Sequence, residues 1–366
     1  MTLRELALFF LLIFLVFSPV VDAGAQNEPP ASAPQGNISP QESLETKIQK
    51  LEKDIEALKR EAEARKTEAE ARRKLEPTEE EKAEEEKRVL TTAGRSYTLM
   101  EKGTMCVEYN FRYSYYSVDQ LLFEPVAVHH EKLHELYNHI SVDYALRDNL
   151  TVTGAIPFIY RYESVGASDS TEQSSIGDIS FGARWQPFKS GGAWPATTFY
   201  ANISAPTGES PYEINIDDEL STGSGFWSCS IGASFSKAID PVVAFGQLGF
   251  SYNFEVDGLE QKHGSRVLEK VEPGSDIAFS IGLGYALSYA VSLTMRFTQN
   301  IRLETDYTYK DGKVATAPSY VSSIFCIGTG WRLSNKTTIF VDVGLGLTTN
   351  DPDFYLSFRL PFDFAL

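Results

Sequence analysis

Long apolar runs are almost missing from this chain. The exception, Leu6 to Phe17, is too short to cross a bilayer as a helix, which takes about 20 residues. It follows Arg4 and precedes Pro19 and the small-residue stretch Val21-Asp22-Ala23-Gly24-Ala25, the pattern of a secretory signal over residues 1–25. No cysteine lies near that cleavage region, so no lipid anchor is expected. Cysteine is scarce throughout: Cys106, Cys229 and Cys326 are three and widely spaced, which argues against a disulfide framework or a thiolate metal site. Basic charge is also short, with 33 Lys and Arg against 50 Asp and Glu and a net charge of −17, so nucleic acid is not an expected partner. Of the five histidines, His130 and His134 stand four apart, but no third ligand accompanies them, and neither metal nor cofactor is expected. The His-x-Ser-Asn-Gly signature of outer-membrane phospholipases is not found at Asn138-His139-Ile140-Ser141-Val142, and the chain reads as a non-enzyme.

What is present begins with helix. Residues 26–41 are rich in Pro, Ala, Ser and Asn and read as a flexible segment. Over 42–76, Leu44, Ile48, Leu51, Ile55 and Leu58 recur at alternating spacings of four and three, flanked by Glu, Lys and Arg. This is a coiled-coil seam, with a lone amphipathic surface helix as the alternative. Ile at a with Leu at d nominally favours two strands. Arg65 and Arg72 interrupt the continuation of the seam. Pro77 breaks the helix, and Thr78 with Glu81 forms a capping box for a second, acidic helix from about Glu79 to Leu90. The whole of 77–103 is expected to be this helix and a lead-in, a candidate plug.

From 104 to 366 the chain alternates. In the last segment Phe354, Leu356, Phe358, Leu360, Phe362 and Phe364 share one face, while Tyr355, Ser357, Arg359 and Asp363 share the other. Strands are expected near 104–118, 132–146, 150–162, 176–188, 194–205, 224–237, 241–256, 274–287, 290–304, 318–333, 337–348 and 353–364. Tight connections, such as Arg147-Asp148-Asn149 and Ser288-Tyr289, mostly alternate with long polar ones at 119–131, 163–175, 206–223, 257–273 and 305–317. Short turns on one rim and long loops on the other are the outer-membrane pattern. A mean hydropathy of −0.22 agrees, because half of each strand is polar. The fold class is an all-β transmembrane β-barrel of about 12 antiparallel strands, with an N-terminal α-helical coiled-coil extension.

Register then assigns faces. Glu108, Arg112, Asp143, Arg161, Asp178, Arg184, Arg296, Arg332, Asp342, Arg359 and Asp363 fall on the inward parity. An Arg turned to lipid at mid-bilayer costs about 2–4 kcal/mol, so this set implies a wet interior. Two readings stay open: a pore lined with mixed charge, or an ion-pair network filling a closed barrel. Outward aromatics near strand ends, among them Tyr144, Trp185, Trp227, Tyr252, Tyr285 and Trp331, suit interfacial girdles. Gly282, Gly284, Gly328, Gly330, Gly344 and Gly346 share the inward face, giving either tight curvature or open lumen.

Three short motifs add a resemblance. Gly177-Asp178-Ile179-Ser180-Phe181-Gly182-Ala183-Arg184, Ala205-Pro206-Thr207-Gly208 and Gly223-Ser224-Gly225 follow in order. With them, the stretch from about His139 onward resembles the outer-membrane family named for the meta-pathway of phenol degradation. Together with the signal, flexible segment and coil, the layout is similar to the functional-amyloid secretion porins of the Fap system. That resemblance implies an export barrel, trimerised through periplasmic coils over 44–75 and plugged by a helix at 79–90. The expected function is an outer-membrane channel that exports an unfolded, amyloid-type polypeptide through a gated barrel. The alternatives are an uptake channel for hydrophobic or aromatic compounds and a structural barrel anchoring a periplasmic coil. Expected partners are the lipid bilayer, further copies of the chain, the barrel-assembly machinery and the cargo. The expected location is the bacterial outer membrane, with the N-terminal region in the periplasm.

Overall fold

Strands that alternate polar and apolar residues bury one face and expose the other, and here they do so by closing on themselves. The computed structural model describes residues 53, 56, 59–60, 79–94, 97–123, 126–165, 169–188, 194–216, 218–334 and 337–365. Among the described residues, the helix α1 (Glu79–Ala93) leads into eighteen strands. These are β1 (Thr104–Phe123), β2 (Val126–Arg147), β3 (Leu150–Val165), β4 (Asp169–Ile176), β5 (Ile179–Trp185), β6 (Ala196–Ala205), β7 (Ser228–Ile239), β8 (Val242–Asn253) and β9 (Val256–Asp257). Then come β10 (Lys262–His263), β11 (Arg266–Glu272), β12 (Asp276–Ala286), β13 (Val291–Arg302), β14 (Thr305–Tyr309), β15 (Val314–Ala317), β16 (Tyr320–Arg332), β17 (Thr338–Gly346) and β18 (Phe354–Ala365).

The main sheet has 13 strands, and an additional β2–β3 pairing closes it. β4 and β5 both pair with β3, on successive stretches of it. Thirteen strands less β4 leave a closed antiparallel ring of twelve. Neighbours along the chain pair around the ring, and β1 meets β18 from Thr104↔Ala365 to Tyr115↔Phe354. Both ends of the barrel therefore lie on the rim of the short turns.

Accessibility follows the parity. On β18, Phe354, Phe358 and Phe362 are exposed while Tyr355, Ser357 and Arg359 are buried. Phe181, Ile203, Ile231, Leu283 and Val343 add to the exposed apolar outer belt, a surface that only lipid covers favourably. Trp185, Trp227, Tyr252 and Trp331 are also exposed. Cys106 and Cys326 are buried inward residues, Cys229 pairs with outward Tyr252, and none of the three is in a disulfide.

The long connections carry more structure than alternation predicts. Residues 119–131 are not a loop: β1 and β2 stay paired to Phe123↔Val126, and β3 with β4 likewise fills most of 163–175. Beyond the bilayer a ribbon has no lipid-facing side, so the alternation that marks a strand fades while the hydrogen bonding continues. His134 thus lies on a strand, with its Nδ1 2.8 Å from the Tyr113 hydroxyl. Residues 257–273 and 305–317 form a separate small sheet around Leu259, Leu268 and Val271. Tyr212 packs on that cluster, and burial, then the neighbouring Tyr307, push its hydroxyl up to about 12.

Candidate functional site

The last turns of α1 lie against the inner wall of the barrel at the short-turn end. Its first turns are Glu-rich, which suits the positive end of a helix, and its last turn contains no basic residue. The helix stops at Gly94, whose φ of 147° is left to glycine and whose amide donates to Leu90 O at 3.0 Å. Val89, Leu90, Ala93 and Tyr97 then pack with Val243 and Phe245 in one buried cluster, against which Ala286 also lies. The Tyr97 and Phe245 rings are 5.0 Å apart, and the Tyr97 hydroxyl reaches Ser280 Oγ at 3.2 Å. Fully burying an aliphatic side chain such as Val89 is worth about 1.5–3 kcal/mol.

Polar contacts fix the helix end. Thr92 is wholly buried; its hydroxyl donates to Arg88 O at 3.0 Å and meets Ser292 Oγ at 2.6 Å. Arg359 Nη2 donates to Thr92 O at 2.6 Å, and Arg296 Nη1 donates to Ala93 O at 2.6 Å. Arg88 donates to the Tyr289 carbonyl, and the Tyr289 ring has Arg88 at 5.4 Å and Arg332 at 4.9 Å. Hydrogen bonds involving a charged group contribute about 1.5–3 kcal/mol each.

The inward glycines take their meaning from these contacts. A Cβ at Gly284 would stand 2.2 Å from Val89 Cγ1, and one at Gly330 would stand 2.5 Å from Thr92 Oγ1. Gly344 similarly makes way for Tyr355. The glycines thus leave room for a helix and for rings, rather than for open lumen. No local signal in the strands marks this, because the occupant comes from another element.

Of the eleven charges that register assigns inward, five stand in ion pairs: Asp143, Arg161, Arg184, Asp342 and Arg359. Arg184 meets Asp143 at 2.6 Å, and Thr153 Oγ1 also donates to Asp143 at 2.6 Å. Arg161 pairs with Glu135 at 2.8 Å, and Arg359 with Asp342 at 3.2 Å. Arg112 lies over the Tyr137 ring at 4.9 Å, and Arg332 over Tyr289. Glu108 is buried opposite Pro361, whereas Asp363, opposite Cys106, is exposed close to the rim. Parity also reaches residues left out of that set: Glu135, Tyr200 and the pair Arg302–Asp276, at 2.8 Å. Their strands were drawn correctly enough to include them, so the signal was available. Leu44, Ile48, Leu51, Ile55 and Leu58 lie outside the described residues. Lys53, Glu56, Lys59 and Arg60 between them are helical, with Arg60 Nη2 3.2 Å from Glu56.

Asp178 organises the opposite part of the lumen. It sits at the break between β4 and β5. Its Oδ1 accepts from Gly208 N at 3.1 Å; its Oδ2 accepts from Ser224 N at 2.7 Å and Ser224 Oγ at 2.6 Å. Thr207 Oγ1 donates to Gly177 O at 2.8 Å and accepts from Ile179 N at 2.9 Å. A Cβ on Gly208 would stand 2.6 Å from Gly223 Cα, so only glycine allows these strands of the loop to touch. The three sequence motifs therefore converge on one carboxylate, which draws residues 206–225 against the barrel wall. Beside this clasp is a cavity of about 410 Å³ lined by Tyr137, Pro157, Ile159, Arg161, Ser180 and Ser204, together with Asp178 and the clasped Thr222–Ser224.

Comparison with known proteins agrees with this architecture. The family model described as "Putative MetA-pathway of phenol degradation" matches residues 132–364. An outer membrane channel from Pseudomonas putida F1 superposes with a TM-score of 0.58 at 16% identity, over 74% of this chain and 98% of that one. The translocator domain of autotransporter NalP from Neisseria meningitidis aligns with a TM-score of 0.45 at 11% identity, over 76% of this chain and 94% of that one. The fold is that of an outer-membrane channel.

Proposed function

Because this chain belongs to the outer-membrane family described as the putative MetA-pathway of phenol degradation, we propose that it is a gated uptake channel for small hydrophobic or aromatic solutes. The observation that carries the gating is the seating of Val89, Thr92 and Ala93 inside the lumen, where conduction requires α1 to leave. The family description supports aromatic cargo, and so does the cavity beside Asp178, where Tyr137, Pro157 and Ile159 offer apolar surface next to polar groups. In this reading the short-turn rim faces the periplasm, and the inward charges line the route once α1 has moved. Export of an unfolded polypeptide demands more: α1 must leave, and the loop held by Asp178 must open as well.

Single-channel recording in planar bilayers tests the gate. The full chain should show rare, small openings. The full-length variant Val89→Gln/Leu90→Gln, which places two amides in an apolar cluster, should conduct steadily. Equal conductance from both proteins would refute a gate at α1. Cells expressing the channel should take up phenol faster than cells without it.

A further inference from the structure

The imprint that α1 leaves in the wall has a chemistry of its own. Two guanidiniums, Arg296 and Arg359, donate to successive carbonyls, Ala93 O and Thr92 O. These carbonyls form the negative end of a helix that supplies no cation of its own in its last turn. Arg359 is balanced by Asp342, 3.2 Å away. Arg296 has no ion pair of its own among the described residues: its other side-chain contact is Cys326 Sγ at 4.0 Å, and Asp342, bonded to Arg359, acts on it only from beyond ion-pair distance. Among the described residues, two guanidiniums thus share the one carboxylate of Asp342. Directly beside it, Val243, Phe245 and Ala286 form the apolar surface that Val89, Leu90 and Ala93 cover.

We propose that Arg296 and Arg359 form an anion site in the lumen, held by the carbonyl end of α1 in the closed protein and by the carboxylate of an amphipathic monocarboxylate cargo in the open one. The proposal rests on the channel reading above and narrows its substrate class. Helix end and cargo then compete for the same two arginines. A carboxylate brings a full charge where the helix terminus brings about half of one, so cargo favours opening. Two guanidiniums that share one carboxylate select one further carboxylate rather than two. The adjacent apolar wall selects a ring or short hydrocarbon attached to it.

The test uses full-length protein in planar bilayers, with folding of each variant checked by heat-modifiable mobility on gels. Benzoate should raise the open probability of the parent protein, and benzamide, its neutral counterpart, should not. In a salt gradient, Val89→Gln/Leu90→Gln should be anion-selective. Adding Arg296→Gln should cut the anion-to-cation permeability ratio about fivefold, the weight of one unit charge at contact distance through water. Arg296→Lys should keep most of that selectivity. Arg296→Gln alone should open more often and stop responding to benzoate. If benzoate and benzamide act alike, or selectivity is unchanged without Arg296, the anion site is wrong while the channel stands. A Val89→Gln/Leu90→Gln protein that folds but never conducts overturns the channel reading itself.

Discussion

A single carboxylate can hold a rim together, and Asp351 does so between β17 and β18. It accepts from Ser323 N at 2.8 Å, Thr348 N at 3.1 Å and Thr348 Oγ1 at 2.6 Å, and from the Ser322 hydroxyl. Burial alone would raise its pKa; the hydrogen bonds from Ser322, Thr348 and the two backbone amides outweigh burial and hold the carboxyl below its ordinary value. A group whose folded pKa is depressed stabilises fully above its unfolded pKa and loses that stabilisation as pH falls through the folded one. The clasp's stabilisation should therefore be complete at neutral pH, begin to fall as pH drops through the ordinary carboxylate value, and be lost below the depressed folded one. Asp351→Asn should lower stability by about 1–2 kcal/mol at pH 7 and should remove this acid-dependent part. Urea midpoints of the folded barrel, followed from pH 7 to about pH 3, check both effects. Parallel curves for parent and variant would contradict the assignment. Asp351 is also a case where sequence gave no warning: its partners come from β16 and from its own turn, a geometry that alternation does not encode.

At the scale of elements, the Asp178 clasp shows which part of the site can be read from the chain and which cannot. Gly177-Asp178, Pro206-Thr207-Gly208 and Gly223-Ser224-Gly225 stand out locally as turn-forming clusters. Their meeting point depends on strand register, which brings β5 beside β6 and so places three distant segments within hydrogen-bond reach. The inward charges were legible for the opposite reason, since parity along one strand suffices to orient Arg184 or Arg359. Removing the acceptor should free the loop. Asp178→Ala forfeits three bonds to a charged acceptor, each worth about 1.5–3 kcal/mol, partly offset by solvation of the released groups. Glu-specific proteolysis of outer-membrane vesicles should then cut at Glu209 or Glu213 at least tenfold faster than in the parent, because local opening governs cleavage. Asp178→Asn, which keeps one acceptor, should fall between them. If all three proteins are cut at the same rate, the clasp does not hold the loop.

For the molecule as a whole, alternation was enough to specify a closed barrel, because a chain with one greasy and one polar face must put lipid on one side and water on the other. It was not enough to specify what fills the barrel. The seat of α1 is made by Gly284, Gly330, Ser292 and Phe245, drawn from strands far from the helix in sequence, and no periodicity links them. The seam before α1 poses the complementary case: the pattern of Leu44, Ile48, Leu51, Ile55 and Leu58 is plain in the sequence, its residues lie outside those described, and we propose that it meets other copies of the chain. Barrel and seam should then be separable by mutation. Ile48→Asp/Ile55→Asp places two charges in the seam and leaves the barrel sequence unchanged, so it should reduce the detergent-solubilised oligomer to single chains. Heat-modifiable mobility should be unchanged, because the β1–β18 closure needs no partner. Native mass spectrometry distinguishes the outcomes. An oligomer that survives both charges would place self-association on the outer wall of the barrel, where Phe181, Ile203 and Ile231 lie exposed, and would leave the seam as a surface helix.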